Sequence, residues 1–493
     1  MHRIDRRLFL NHSALLATTA GMLQNSSRGL TAEEKATAAR KGAASDTLRV
    51  AVVGVRGRGM DHVQGFAGRH NCKITHICDA DSAVIGAATK HITEKQGAAP
   101  TFVQDIRKLV SDPNIDIISI ATPNHWHALM AIWAMQNGKH VYVEKPVSHN
   151  VLEGRRTVEV SRKTGKVCQT GTQSRSTKGM RDAIEFIHSG KIGTVKLARG
   201  LCYKLRGSIG KVTGPQNPPK TVNYDLWCGP APLAPLMRSK LHYDWHWVWD
   251  TGNGDLGNQG IHEMDKARWG LNKKTLPNAV ASIGGRFGYT DDGQTANTQV
   301  IQFDYGDCEL VFEVRGLNSE SPYPGKKSPK RGPKPQNFVG NVWYGSEGIV
   351  VCPSYTGGIA YSKDGEVIKE FGGGGDHYGN FVAAVRAGDS KLLNADIEEG
   401  HLSSALCHLG NISHRLGTDI GFDGSKQPFT SAAANDGYEA VVKHLKEHKL
   451  DLTTLKYSKG KNLKLEGEKF VGDAKANEQL TREYRKGFEL PAV

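Results

Sequence analysis

In Val141-Tyr142-Val143-Glu144-Lys145-Pro146, three β-favouring residues lead into a charged pair that a proline stops, which puts Lys145 at the carboxyl end of a buried strand. In an open parallel sheet that edge is where ligands bind. Two readings of Lys145 stay open on these residues: a structural cation paired with a neighbour such as Glu144, or an amine that handles a proton. A second loaded stretch, His242 to Asp265, holds Trp245, Trp247, Trp249 and Asp250, then glycines, then a helical pattern. In that helix, expected from Asn258 to Leu271, the residues Asn258, His262, Asp265 and Trp269 fall on one face. Aromatic rings stack on the apolar faces of sugars while carboxylates and imidazoles bond hydroxyls, so Trp245, Trp247, Trp249, Asp250 and His262 suit a carbohydrate pocket. The alternative is that one or more of these tryptophans is core.

The elements that must position these groups begin at Thr47-Leu-Arg-Val-Ala-Val-Val-Gly54, a continuous apolar run of the kind a strand buried on both faces needs. It runs into Gly54-Val-Arg56-Gly57-Arg58-Gly59, a glycine turn that lets backbone approach a pyrophosphate held at a helix amino end. The G-x-G-x-x-G spacing is broken, because Arg56 stands at the middle glycine and Gly57 follows it. A second strand, Lys73 to Cys78, ends in Asp79, where an acidic side chain takes up the ribose hydroxyls of NAD and repels the extra phosphate of NADP. NAD is therefore expected over NADP, although Arg56 or Arg58 would attract a phosphate. Further strands are expected at Ile115–Ala121, His140–Val143 and Lys166–Thr170, alternating with helices. The run Thr122-Pro123-Asn124-His125-Trp126-His127 opens one helix, with Asn124 as amino-terminal cap. Its two histidines have no third ligand nearby, so capping or ligand contacts are preferred to a metal.

Together the glycine turn, Asp79, the Thr122–His127 run and Glu144-Lys145-Pro146 resemble the Gfo/Idh/MocA oxidoreductases, named for glucose-fructose oxidoreductase and inositol dehydrogenase. The resemblance implies an α/β fold: a Rossmann-type doubly wound parallel sheet, then an α+β domain with a large open, mainly antiparallel sheet that often supports oligomers. It implies that Gly54, Arg56, Gly57, Arg58, Gly59, Asp79, Thr122, Pro123, Asn124, His127, Glu144 and Lys145 hold NAD. It also implies that His262, within the family's D-x-x-x-H-x-x-D pattern, works beside Lys145, with Asp265 orienting it. The family's first aspartate is Asn258 here, and an amide orients a hydroxyl but cannot take its proton.

The implied chemistry is hydride transfer at a hydroxyl or keto group of a sugar, cyclitol or glycoside, with Lys145 or His262 accepting the hydroxyl proton. Partial burial and the nicotinamide charge both favour the neutral amine. Some relatives oxidise the sugar only transiently so that a glycosidic bond is eliminated, and a binding protein that keeps NAD as structure is a third reading.

The expected domains are 1–30 signal peptide, 31–46 linker, 47–173 NAD-binding, 174–430 substrate and oligomerisation, and 431–493 helical extension and tail. Arg6-Arg7 ahead of Phe9, Leu10 and a mildly apolar run look like a twin-arginine signal, hence a periplasmic protein; a disordered basic start would leave it cytoplasmic. The net charge of +14 over 493 residues is scattered, with no basic stripe interleaved with aromatics, which argues against nucleic acid. The 8 cysteines form no C-x-x-C pair or metal-ligand spacing, and no apolar run suggests membrane insertion. The partners expected are a small carbohydrate and further copies of the chain, as a dimer or tetramer. The basic loops Lys204–Lys220 and Ser321–Pro335 read as solvated surface, or as contacts to a polyanionic glycan. His377 and His401 read as structural, or as approaching substrate.

Overall fold

The computed structural model describes residues 47–323, 337–422 and 427–493. The expected signal peptide, the linker and the lysine-rich part of the 321–335 loop lie outside those residues.

A six-stranded, wholly parallel sheet is built from β1 (Leu48–Val53), β2 (Cys72–Cys78), β3 (Thr101–Val103), β4 (Ile117–Ile120), β5 (His140–Val143) and β6 (Cys168–Thr170) in the order β3-β2-β1-β4-β5-β6. Its central strands β1, β4 and β5 are mostly apolar because helices cover both faces. Ala51, Val53, Ile118, Ile120, Val141 and Val143 fill one side, while Val50, Val52, Ile117 and Tyr142 fill the other. Each such side chain contributes roughly 1.5–3 kcal/mol on burial. The connecting helices used below are α1 (Arg58–Phe66), α2 (Gly86–Gln96), α3 (Arg107–Val110), α4 (Asn124–Gln136) and α5 (Val151–Thr164). Later chain completes these layers: Phe381, Val382 and Val385 pack on the β1 side, and Phe488 near the carboxyl end packs edge-on against Trp126 of α4.

After α6 (Lys178–His188) comes β7 (Val195–Tyr203), the middle of a second sheet. Two short helices follow, α7 (Tyr224–Cys228) and α8 (Gly254–Asn258), then α9 (Gly260–Gly270). The sheet continues with β8 (Ala279–Gly285), β9 (Thr298–Asp304), β10 (Glu309–Arg315), β11 (Phe338–Gly345), β12 (Gly348–Cys352), β13 (Gly358–Ser362) and β14 (Val367–Phe371). It is 12-stranded and antiparallel except where β7 pairs with β10. Helices α10 (His377–Ala387), α11 (Ile397–Arg415) and α12 (Ala432–Glu447) follow, with β15 (Thr418–Gly421) between the last two. Asp376 caps α10 through Gly379 N, and Gly388 ends it at φ 64°.

Three local expectations change. The helix expected from Asn258 to Leu271 is two helices meeting at Gln259, where glycines at 257 and 260 weaken helix propensity. Asn124 does not cap α4: Pro123 holds the cap position and the Asn124 amide donates instead to Asn253 Oδ1 at 3.0 Å. The tail after α12 is not only helical, because β16 (Lys456–Lys459) and β17 (Leu463–Glu466) add to β8. Their alternating apolar residues Tyr457 and Leu463 are buried. Among the described residues, no helix is long and apolar enough to cross a membrane.

Candidate active site

A cleft of about 870 Å³ opens at the carboxyl ends of β1, β2, β4 and β5, where the strand order of the parallel sheet reverses, and is closed on its far side by residues of the second domain. The three glycines of the β1–α1 turn are there for different reasons. Gly54 turns at φ 78°, and a Cβ there would lie 2.7 Å from Ala121 O. Gly57 turns at φ 55° at the amino end of α1 with open space where a Cβ would be. Gly59 does not face the cleft; a Cβ there would lie 1.8 Å from Gly54 O, so it lets helix and turn touch. Asp79 locks the second strand end to this turn, accepting from Val55 N and Asp81 N, each at 3.0 Å. Burial pushes its carboxyl up against those amide bonds. Of the two arginines expected to attract a phosphate, Arg58 is committed elsewhere, its Nε donating to Glu144 Oε1 at 2.9 Å; Arg56 stays exposed on the cleft wall.

Thr122, Pro123, Asn124 and His127 line the next part of the wall. The His127 ring spans two strand-end loops, with Nδ1 2.6 Å from Pro146 O and Nε2 2.7 Å from Thr122 O, so whichever nitrogen carries the proton ties one loop. His125 is buried between Thr251 O and Trp227 O, and burial pulls its pKa down to about 3. Among the described residues, no three His, Cys, Asp or Glu side chains gather as metal ligands.

The Glu144 carboxylate is buried and accepts from Arg58, His62 and Gln173. Burial opposes its ionisation, yet Arg58 beside it holds it well below the usual carboxylate range. Lys145 follows at the end of β5, and its Nζ donates to the backbone carbonyl of Asn258 at 2.8 Å. Burial lowers its pKa; Glu144 opposes this, while the Arg58 and Lys204 cations reinforce it. His262 lines the same end of the cleft, its ring edge-on to Tyr355 with centroids 5.3 Å apart. Burial and the Lys145 charge hold it well below its ordinary pKa, hence neutral.

Lys145, Asn258 and His262 thus meet, but Asp265 does not join them. Its carboxylate is taken by Arg175, with Nε at 2.8 Å, and by Ser403 Oγ at 2.7 Å, behind the cleft and turned away from His262. Of the three tryptophans in that run only Trp245 reaches the cleft. Trp247 is core, 5% exposed under the Arg206 guanidinium, and Trp249 with Asp250 lines a different pocket. The run lacks a helix or strand period, so its side chains scatter. His377 bonds Ser176 and Thr170 O, and His401 bonds Glu468; neither reaches the cleft.

The polar groups that line this end in their place are Lys204, Gln259, Tyr355 and His246. Lys204 Nζ donates to Gln259 Oε1 at 2.8 Å, and the Gln259 amide donates to Tyr355 Oη and to Glu263. Gln259 adjoins the Asn258 position, the one signal that could have found it; Lys204 and Tyr355 are 151 residues apart in sequence and meet only through the β7 and β12–β13 ends.

These features define a class: a Rossmann domain whose strand ends share one cleft with a second α/β domain. The oxidoreductase family model for the NAD-binding Rossmann fold matches residues 48–172, and that for the family's C-terminal alpha/beta domain matches 185–333. The chain belongs to this Gfo/Idh/MocA oxidoreductase family. A glycosyl hydrolase family 109 protein of a Shewanella species is 35% identical over 181 residues, 34% of this chain and 39% of the relative; one from Shewanella putrefaciens matches to the same extent. The match therefore spans less than half the length of those relatives. Among solved structures, the WlbA dehydrogenase from Bordetella pertussis in complex with NADH and UDP-GlcNAcA aligns with TM-score 0.54 and 18% identity, over 75% of this chain and 97% of that one. Levoglucosan dehydrogenase in complex with NADH and levoglucosan aligns with TM-score 0.55 and 18% identity, over 74% and 96%. At these identities the likeness is one of fold.

The residues present fit NAD. Gly57 leaves open space for close backbone approach, the α1 amino end carries no side-chain cap and so can face a pyrophosphate, and Asp79 sits at the β2 end.

Proposed function

We propose that the protein is an NAD-dependent oxidoreductase acting on a CH–OH group of a sugar, cyclitol or glycoside. The observation that carries this reading is the Lys145 amine, held at the Asn258 carbonyl in a cleft that continues from the glycine turn to His262. NAD supplies a hydride acceptor when bound. Loss of hydride from a carbinol carbon requires its hydroxyl proton to leave as well. Neutral Lys145 donates one N–H to Asn258 O and keeps its lone pair to accept that proton. His262, held neutral, offers a ring nitrogen to the same hydroxyl. Lys204, Gln259 and Tyr355 present polar atoms that fix the remaining hydroxyls, and Trp245 supplies an aromatic wall. Asp79 favours NAD over NADP by repelling a 2′-phosphate.

The family 109 relatives favour a second reading, in which oxidation is transient, a glycosidic bond is eliminated and NAD is regenerated. Both readings use Lys145 and His262 in the same way, so one experiment separates them. The purified protein is incubated with NAD and a panel of glycosides while NADH absorbance and aglycone release are followed. Stoichiometric NADH with ketosugar supports the dehydrogenase, and aglycone release without net NADH supports the cleavage reaction. No product of either kind from any sugar, with NAD bound, would overturn both.

A further inference from the structure

A second pocket, of about 280 Å³, shares no lining residue with the cleft. It contains Trp249 and Asp250, the part of the aromatic run that the cleft leaves out, together with residues of α11 and the tail. Three of its lining residues carry a polar atom buried without a partner. His408 on α11 is 4% exposed; its Nε2 lies 3.2 Å from Ser148 Oγ, and its Nδ1 has no partner. Gln479 Oε1 and His149 Nε2 are the other two. Leaving a buried polar atom unpaired costs about 1–3 kcal/mol, which a ligand hydroxyl would offset.

The surrounding charges decide the ligand class. The Arg415 guanidinium lies over the Trp249 ring, 5.1 Å from its centroid, and Arg482 reaches His149 Nδ1 and Asp250 O, each at 3.2 Å. Asp250, Glu478 and Glu483 stand exposed on the rim. An anion would meet three carboxylates, and a cation would meet two guanidiniums. A neutral ligand whose hydroxyls both donate and accept meets neither penalty, and the volume suits one pyranose ring beside an indole. We propose that this pocket is a second, non-catalytic site for a neutral polyhydroxylated ligand, a sugar ring or a cyclitol. Its wall backs onto the cleft, since Asn253 donates to His149 O at 3.1 Å while its Oδ1 accepts from Asn124. The proposal does not depend on which reaction the cleft runs.

The test is calorimetric titration of the NAD-loaded protein with methyl glucoside, methyl galactoside and myo-inositol, and with their charged counterparts glucuronate and glucosamine. At least one neutral probe is expected to bind, to persist in His262→Ala, and to weaken about tenfold or more (~1.4 kcal/mol) in Trp249→Ala and in Arg415→Ala. Arg415 is exposed, so its variant reports even where loss of Trp249 harms folding. Binding by no neutral probe, binding unchanged by both pocket substitutions, binding lost in His262→Ala, or preference for glucuronate or glucosamine would each overturn the proposal.

Discussion

The carbonyl oxygen of Asn258 is what Lys145 touches, so the absence of the family's aspartate at 258 leaves that contact in place: any residue there supplies the carbonyl. What the substitution removes is a second carboxylate near the amine, which would have raised the pKa of Lys145 and favoured its charged form. With an amide instead, burial and the Arg58 and Lys204 cations lower that pKa with less opposition. The rate should therefore rise with pH as Lys145 loses its proton, and kcat/KM should level off at a pH below lysine's ordinary 10.5. Lys145→Ala and Lys145→Arg should each lose roughly 10²–10⁴ in turnover while still retaining NAD, because arginine cannot release a proton at working pH. Asn258→Ala should keep most of the activity. Near-normal turnover by Lys145→Arg would show that the lysine is only a structural cation.

At the scale of elements, the β1–α1 turn is pinned against the end of β4, and the pinning is tightest at Gly54. Gly54→Ala forces a Cβ to 2.7 Å from Ala121 O at φ 78°, so the variant should lose several degrees of Tm and release its NAD. Gly57→Ala meets open space and carries only the backbone cost of φ 55° with ψ −113°, outside the left-handed helical region, about 1–3 kcal/mol. Melting curves and the NAD content of the two purified variants check this, and equal losses would contradict it. The same elements show what could be read in the chain. Strands buried on both faces announce themselves as apolar runs, and β5 starts and stops where Val141-Tyr142-Val143 and Pro146 imply; α10 is bracketed by Asp376 and Gly388. The helix break at Gln259 was hidden because a 3.6-residue period does not register one tightened turn. The scattering of Trp245, Trp247 and Trp249 to a cleft, a core and a second pocket was hidden too, since an irregular loop has no period to assign its faces. Lys204, Gln259 and Tyr355 share a site through the pairing of distant strands, which no local pattern encodes.

For the whole molecule, the buried histidines set the response to acid. His125, His377 and His408 are held neutral by burial, with pKa values drawn down to about 3, 4 and 3. In the unfolded chain they titrate near 6.5. Between those values the unfolded state binds more protons, so their stabilisation is present above pH 6.5 and is lost as pH falls toward 4. Glu263 works the other way: burial raises its pKa to about 7 from 4.5, so the folded state gains a proton over part of the same window. His140, His246, His414 and His444, drawn down by burial to about 4, 3, 4 and 3, act in the same sense, so the histidines outnumber Glu263 and the unfolded state takes up protons on balance through this window. Below pH 4.5 the carboxylate of Glu468, held at about 2 against burial by its bonds to His401 and Arg155, adds to the loss. Denaturant melts at fixed temperature should therefore show nearly flat stability from pH 8 to 7 and a steep fall from 6 to 4.5, with little change in m. Glu263→Gln removes an opposing group and should steepen that fall, whereas a fall that begins only below pH 4.5 would assign acid unfolding to carboxylates alone and place the buried histidines in wetter surroundings than their packing shows.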